Sequence, residues 1–283
     1  MSKVETPETA AGRTIERTIR IAAPPEAVWR ALTDPDELVR WFPMDARVRP
    51  GPDGSIWMSW RGEYEAEMPI RVWEPDRRLR TVWSAGAGQS PEEHAAGTPP
   101  PESALPGHAE LAVDFHLSGE GGGTILRLVH SGFGEGETWD EQVEGIRRGW
   151  RMELDGLKHY LERHRGVPRL VAYVHRFGEA PREEVWNRLV AADGALSGLG
   201  GGRPGARFAV ADGSGGTLEG TVRDWDPPRD FVGVVTNLND ALLRAWVDDA
   251  GGRRDSFLML SAYGVPEERV RAIEESWAAA TAA

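Results

Sequence analysis

Ala23-Pro24-Pro25-Glu26-Ala27-Val28-Trp29-Arg30-Ala31-Leu32 returns in the second half of the chain as Ala180-Pro181-Arg182-Glu183-Glu184-Val185-Trp186-Asn187-Arg188-Leu189. Proline opens a helix in both copies, and the Val-Trp and Leu positions give it an apolar face. Two further echoes follow in the same order. Arg71-Val72-Trp73-Glu74-Pro75-Asp76-Arg77 matches Arg223-Asp224-Trp225-Asp226-Pro227-Pro228-Arg229, and Leu126-Arg127-Leu128 before Gly132 matches Leu258-Met259-Leu260 before Gly264. A period near half of the 283 residues is too long for a solenoid repeat and suits a duplicated domain. The chain reads as a disordered tail (1–13), a first domain (14–166) and a divergent, shortened second domain (167–283).

Between the echoes the pattern is mostly strand. Thr14 to Ile21 alternates, the helix that begins at Pro24-Pro25 stops at Asp34-Pro35, and a second short helix runs from Asp36 to Trp41. Strands are predicted at 55–61, 64–73 and 79–83, with turns at Gly51-Pro52-Asp53-Gly54 and Glu74-Pro75-Asp76. Residues 84–109, rich in Ala, Gly, Pro and Glu, read as a long surface loop, with a lid over a pocket as the functional alternative. A hairpin turns around Gly121-Gly122-Gly123. A long helix then carries Trp139, Val143, Ile146, Trp150, Leu154, Leu157 and Leu161 at three- and four-residue steps. That stripe must bury itself against the sheet. The second copy repeats this order, but a glycine-rich run from Gly194 to Gly205 replaces the second short helix, and its last helix ends early.

Composition excludes several classes. The formal charge is -12, and no basic stretch offers a nucleic-acid surface. There is no cysteine, which removes disulfides, thiolate metal sites and cysteine nucleophiles. No apolar run approaches the roughly 20 residues of a membrane span, and the polar N-terminus has no signal-peptide core. The expectation is a cytoplasmic protein without membrane insertion.

The motifs resemble a known family. Pro24-Pro25-Glu26-Ala27-Val28-Trp29-Arg30-Ala31-Leu32-Thr33-Asp34-Pro35 leading to Leu38, Trp41 and Phe42 resembles the opening of the SRPBCC (START/Bet v 1-like) superfamily, in the branch related to the activator of Hsp90 ATPase. Trp73-Glu74-Pro75-Asp76-Arg77-Arg78-Leu79 resembles that branch's middle turn, and Gly149-Trp150 leading to Leu154, Leu157 and Tyr160-Leu161 its closing helix. The resemblance implies an α+β architecture of two helix-grip domains, each a curved antiparallel sheet around a long C-terminal helix. It implies less about activity, because one fold hosts many functions. Superfamily members bind lipids, hormones and polyketides, some cyclise polyketide chains, and some intercept toxic natural products.

Trp41, Phe42, Trp57, Trp60, Trp83, Phe115, His116 and Trp150 are the candidate lining of a cavity in the first domain, though ordinary core would use the same residue types. Trp57 and Trp60 have opposite strand parity, so at most one faces inward. Gly145, Gly149 and Gly156 share a flank of the long helix with Met152. Each glycine costs about 1 kcal/mol relative to alanine, which close packing or room for a ligand would offset; a tolerated solvent face is the alternative. Asp114 and His130 are the candidate catalytic pair: if the hairpin turns around residues 121–123 they sit opposite each other, whereas a shift of one residue puts them on opposite faces. No metal and no cofactor is expected.

The leading expectation is binding of an apolar small molecule, a polyketide or aromatic natural product, in the first domain, in biosynthesis or self-resistance. The alternatives are a polyketide cyclase-like enzyme and a chaperone-type interaction module. The second domain is expected to pack against the first as a structural partner.

Overall fold

The computed structural model describes residues 13–83, 110–134, 136–200, 202–213, 215–250 and 253–282. The expected tail, apart from Arg13, and the expected loop at 84–109 lie outside the described residues. The chain divides into two compact units, Met1–Leu161 and Glu162–Ala283.

The first unit begins with β1 (Arg13–Ile21), α1 (Pro25–Thr33) and a four-residue helix, α2 (Pro35–Leu38). Asp34 caps α2 by accepting from the backbone N–H groups of Asp36 and Glu37, as a short acidic residue before a proline-led turn does. The strands that follow are β2 (Asp45–Arg49), β3 (Ser55–Trp60), β4 (Tyr64–Glu74), β5 (Arg78–Val82), β6 (Ala112–Glu120) and β7 (Gly123–Phe133). The closing helix, α3 (Glu137–His159), runs into a π turn, Tyr160–His164. The sheet order is β1-β7-β6-β5-β4-β3-β2, antiparallel throughout. Strand β2 is not among the strands that sequence pattern predicts: only its alternating burial distinguishes it.

The second unit contains β8 (Arg169–Gly178), α4 (Arg182–Val190), β9 (Arg207–Ala211), β10 (Thr217–Asp226), β11 (Asp230–Val235), β12 (Ala241–Ala250), β13 (Arg253–Tyr263) and α5 (Glu267–Ala280). Its sheet order, β8-β13-β12-β11-β10-β9, is the first order with β2 removed. The helix-grip architecture is therefore present twice, and the second copy lacks both α2 and the strand beyond it.

The sequence echoes coincide with one contact made twice. Trp29 of α1 meets Trp73 near the end of β4 edge-on, centroids 5.0 Å apart, and Trp186 of α4 meets Trp225 of β10 at 6.0 Å in the same orientation. The third echo supplies buried inward leucines, Leu126 and Leu128 on β7 and Leu258 and Leu260 on β13.

Along α3 and the π turn the predicted stripe is buried at Trp139, Val143, Leu154, Leu157 and Leu161 and half-buried at Ile146 and Trp150. Trp139 and Val143 pack with Ile15 and Phe133, and Ile146 and Trp150 lie against that cluster. A Cβ at Gly134 would collide with the buried Trp139 indole. Gly134→Ala is accordingly expected to cost about 1–3 kcal/mol by overpacking, read as a lowered urea midpoint.

Candidate functional site

The inner face of the first sheet follows from strand parity. Leu79 pairs with Phe115, Thr81 with Val113, and Phe115 and Val113 in turn with Leu128 and His130, so these side chains share one face. Trp83, two residues past Thr81, continues it. On this face the aromatic side chains form one connected row. Tyr64 touches Trp60 at 5.4 Å between centroids, Trp60 touches Phe42 at 5.2 Å, and Phe42 touches Trp150 at 6.5 Å. Trp150 reaches Phe115 at 5.9 Å and His130 at 6.1 Å. Trp83 stacks on His130 at 6.2 Å, and Phe133 lies 4.6 Å from it. The row runs from half-buried rings, Tyr64, Trp60 and Phe42, to the buried Phe115 and His130.

Two hydrogen bonds fix the corner that carries Trp41 and Phe42. The Trp41 indole donates to the Ala31 carbonyl at 2.7 Å, and the Tyr160 hydroxyl donates to Glu37 Oε2 at 2.6 Å. Arg40 holds the other oxygen of Glu37 at 2.8 Å. Glu37, Tyr160, Tyr64 and Phe133 were not legible as site residues. Tyr160 reads as one more apolar position of a helical stripe, and nothing in sequence links it to Glu37, 123 residues away.

His130 is the polar centre of the row. It is 2% exposed, and burial pushes its pKa down to about 3, so the ring is neutral at physiological pH. Its Nδ1 accepts the Trp150 indole N–H at 3.0 Å. A neutral imidazole whose Nδ1 accepts carries its proton on Nε2. That Nε2–H and the indole N–H of Trp83 are both buried and have no hydrogen-bond partner among the described residues.

Asp114 does not join it. The β6–β7 hairpin turns on two residues, Gly121 and Gly122, both with positive φ (56° and 79°), and Glu120 pairs with Gly123. Such a tight turn is the two-residue type that glycine permits. It sets Asp114 opposite Val129 and Val113 opposite His130, one residue away from the register a three-residue turn would give. The expected Asp114–His130 pair is thus split across the sheet. Asp114 lies on the outer face with Arg78, Arg80 and His116. Arg78 donates from Nε to Oδ1 at 2.9 Å and from Nη2 to Oδ2 at 2.6 Å, Arg80 donates to Oδ2 at 3.2 Å, and His116 Nε2 is 3.2 Å from Oδ1. Burial alone would raise this carboxyl. The Arg78 hydrogen bond, the charges of His116 and Arg78 and the Arg80 hydrogen bond outweigh it and hold the pKa below the ordinary value.

His116 consequently leaves the candidate lining. Trp57 leaves it too: it pairs with Glu67, on the parity opposite to Met58 and Ala66, and carries the Arg47 guanidinium 4.1 Å over its ring. Trp41, Phe42, Trp60, Trp83, Phe115 and Trp150 are brought together. Gly145 and Gly149 are half-buried on α3, while Gly156 and Met152 on the same flank are buried, so that flank is not a solvent face. A cleft of about 500 Å3 lies elsewhere, in the second unit, lined by Gly198, Gly200, Arg207, Glu219 and Thr221 among others. Its polar, exposed side chains do not match the ring-lined surface of the first unit. Among the described residues no group of three or more His, Asp or Glu is placed to hold a metal ion, and no helix is long and apolar enough to cross a membrane.

Residues 22–162 match the family described as activator of Hsp90 ATPase homolog 1-like protein. The match falls on the first unit, which is thereby AHSA1-like and of the SRPBCC type. Among solved structures the chain is similar to the Aha1 dimer from Colwellia psychrerythraea, at 21% identity and a TM-score of 0.44 over 54% of this chain and 99% of that one. CalU16 from Micromonospora echinospora is 28% identical, with a TM-score of 0.38 over 53% of this chain and 76% of that one. DynU16, a protein of the dynemicin biosynthetic locus, is 18% identical, with a TM-score of 0.41 over 95% of this chain and 96% of that one. No curated protein matches the chain.

Proposed function

We propose that the first unit binds an apolar, ring-bearing small molecule, of the polyketide or aromatic natural-product class, on the inner face of its sheet, in biosynthesis or self-resistance. The observation that carries this reading is the row of rings from Tyr64 to His130. Tyr64, Trp60, Phe42, Trp83 and Trp150 all keep part of their surface accessible, and what sets them apart from scattered half-buried rings is that they join, through His130, into one row. Contiguous, incompletely covered aromatic surface with few polar groups is what a small-molecule site presents. The outer-face position of Asp114 removes the acid–base pair that a cyclase reading used, which leaves binding without a named catalyst.

Calorimetric titration of the full chain with anthracene-2-sulfonate tests this. Saturable binding at one site is expected, weakened about tenfold or more in the Phe42→Ala, Trp60→Ala double variant through loss of ring contact. Absence of saturable binding, or binding indifferent to the double variant, would remove the proposal.

A further inference from the structure

We infer that the ligand of this site carries a neutral hydrogen-bond acceptor oxygen, of the quinone or aryl ketone class, received by His130 Nε2–H and the Trp83 indole N–H. The inference rests on the binding reading above and narrows it. Three observations carry it.

The first is the pair of orphaned donors. His130 Nε2 and Trp83 Nε1 are both buried without a partner among the described residues, and they belong to rings stacked 6.2 Å apart with planes 14° from parallel. Buried donors are nearly always satisfied, and one left unmade is an energetic cost that a protein retains for a reason. Two on adjacent rings, both in the row already assigned to a ligand, share one explanation.

The second is that the His130 tautomer is set by the protein. The Trp150 N–H occupies Nδ1, so the free edge of the imidazole is a donor and not an acceptor. A ligand group that can only donate, such as an ammonium, would find no acceptor at either nitrogen. The third is charge. Burial keeps the imidazole neutral, and the carboxylate and guanidinium groups on the neighbouring strands, Asp114, Arg78 and Arg80, are on the outer face. Phe133, Trp150 and Trp83 lie against the imidazole instead. An environment of this kind disfavours an ion and accepts a neutral oxygen whose ring can lie against Trp83.

The test is a matched pair of probes, anthraquinone-2-sulfonate, which bears two ring carbonyls, and anthracene-2-sulfonate, which bears none. Calorimetry with the full chain is expected to give at least about tenfold tighter binding of the quinone, since each satisfied donor contributes to discrimination. His130→Phe and Trp83→Phe, which keep a ring and delete a donor, are each expected to reduce the ratio of the two probe affinities several-fold. Equal affinity of the wild-type chain for the two probes would overturn the acceptor inference and leave the binding reading intact. A preference that survives both variants would also overturn it. Failure of both probes to bind would overturn the binding reading and this inference with it. The wild-type comparison needs no variant to fold.

Discussion

Replacing Asp114 with alanine is expected to lower the stability of the first unit by about 3 kcal/mol and to leave anthracene-2-sulfonate binding unchanged. Removing one member of a buried ion pair costs about 3–5 kcal/mol, because the remaining charge is stranded. Here the lower end applies: Arg78 and Arg80 are each 34% exposed, so water recovers part of what they lose. Asp114→Asn keeps one acceptor and is expected to cost about half as much. The sign with pH follows from the direction of the shift. A carboxyl held below its ordinary value of 3.8 contributes its stability in full above that value, and the contribution disappears as pH falls through the lower, folded value. At pH 7 the whole effect is present. Urea unfolding at pH 7, beside calorimetric binding, reads both halves of the prediction. An alanine variant that unfolds like the wild type but binds no probe would show that Asp114 serves the inner face after all.

The fold was legible because the duplication repeats its own constraints. A motif that recurs in two diverged copies marks positions that packing holds, and the Trp29–Trp73 and Trp186–Trp225 contacts are the physical content of two echoes that look separate in sequence. Helix period and strand parity then located most elements. Parity alone also separates Trp57 from Trp60, although it cannot say which of them turns inward; the neighbouring Met58 and Ala66 decide that by burial.

The site was less legible, and the reason is register. Whether Asp114 meets His130 depends on whether Gly123 belongs to the turn or to the strand. Three successive glycines permit either, since none has a side chain to bias the choice. A one-residue difference moves every later side chain of the strand relative to its partner. Long-range pairs such as Tyr160–Glu37 leave no sequence signature at all, because neither residue's local pattern depends on the other. The sequence named six of the rings in the row and could not supply their order or the hydrogen bond that sets the His130 tautomer.

His130 gives the largest effect, and acid reveals it. Its imidazole is pushed from 6.5 down to about 3 by burial, so between those values the unfolded chain binds a proton that the folded chain refuses. Stability from this group is complete above about pH 6.5, falls as pH drops below it, and is exhausted near pH 3. At about 1.4 kcal/mol per pH unit, the wild-type chain is expected to lose about 2 kcal/mol between pH 7 and pH 5 from this residue, and at most about 5 kcal/mol by pH 3. His164, in the second unit, is also lowered, chiefly by burial, so the slope of the wild type alone does not isolate His130. The difference between wild type and His130→Phe does, since both keep His164. The variant starts lower at pH 7 by about 1–2 kcal/mol, because the Trp150 indole has lost its acceptor, and it then loses less on acidification, so the two unfolding curves converge near pH 5 to 6. The Asp114 contribution enters only below about pH 4 and stays outside this window. Urea midpoints at pH 7, 6 and 5 measure the convergence. Parallel curves would mean that His130 takes up its proton in the folded chain as readily as in the unfolded one, and a donor that ionises so easily would have to face water, against the burial on which its role in the site depends.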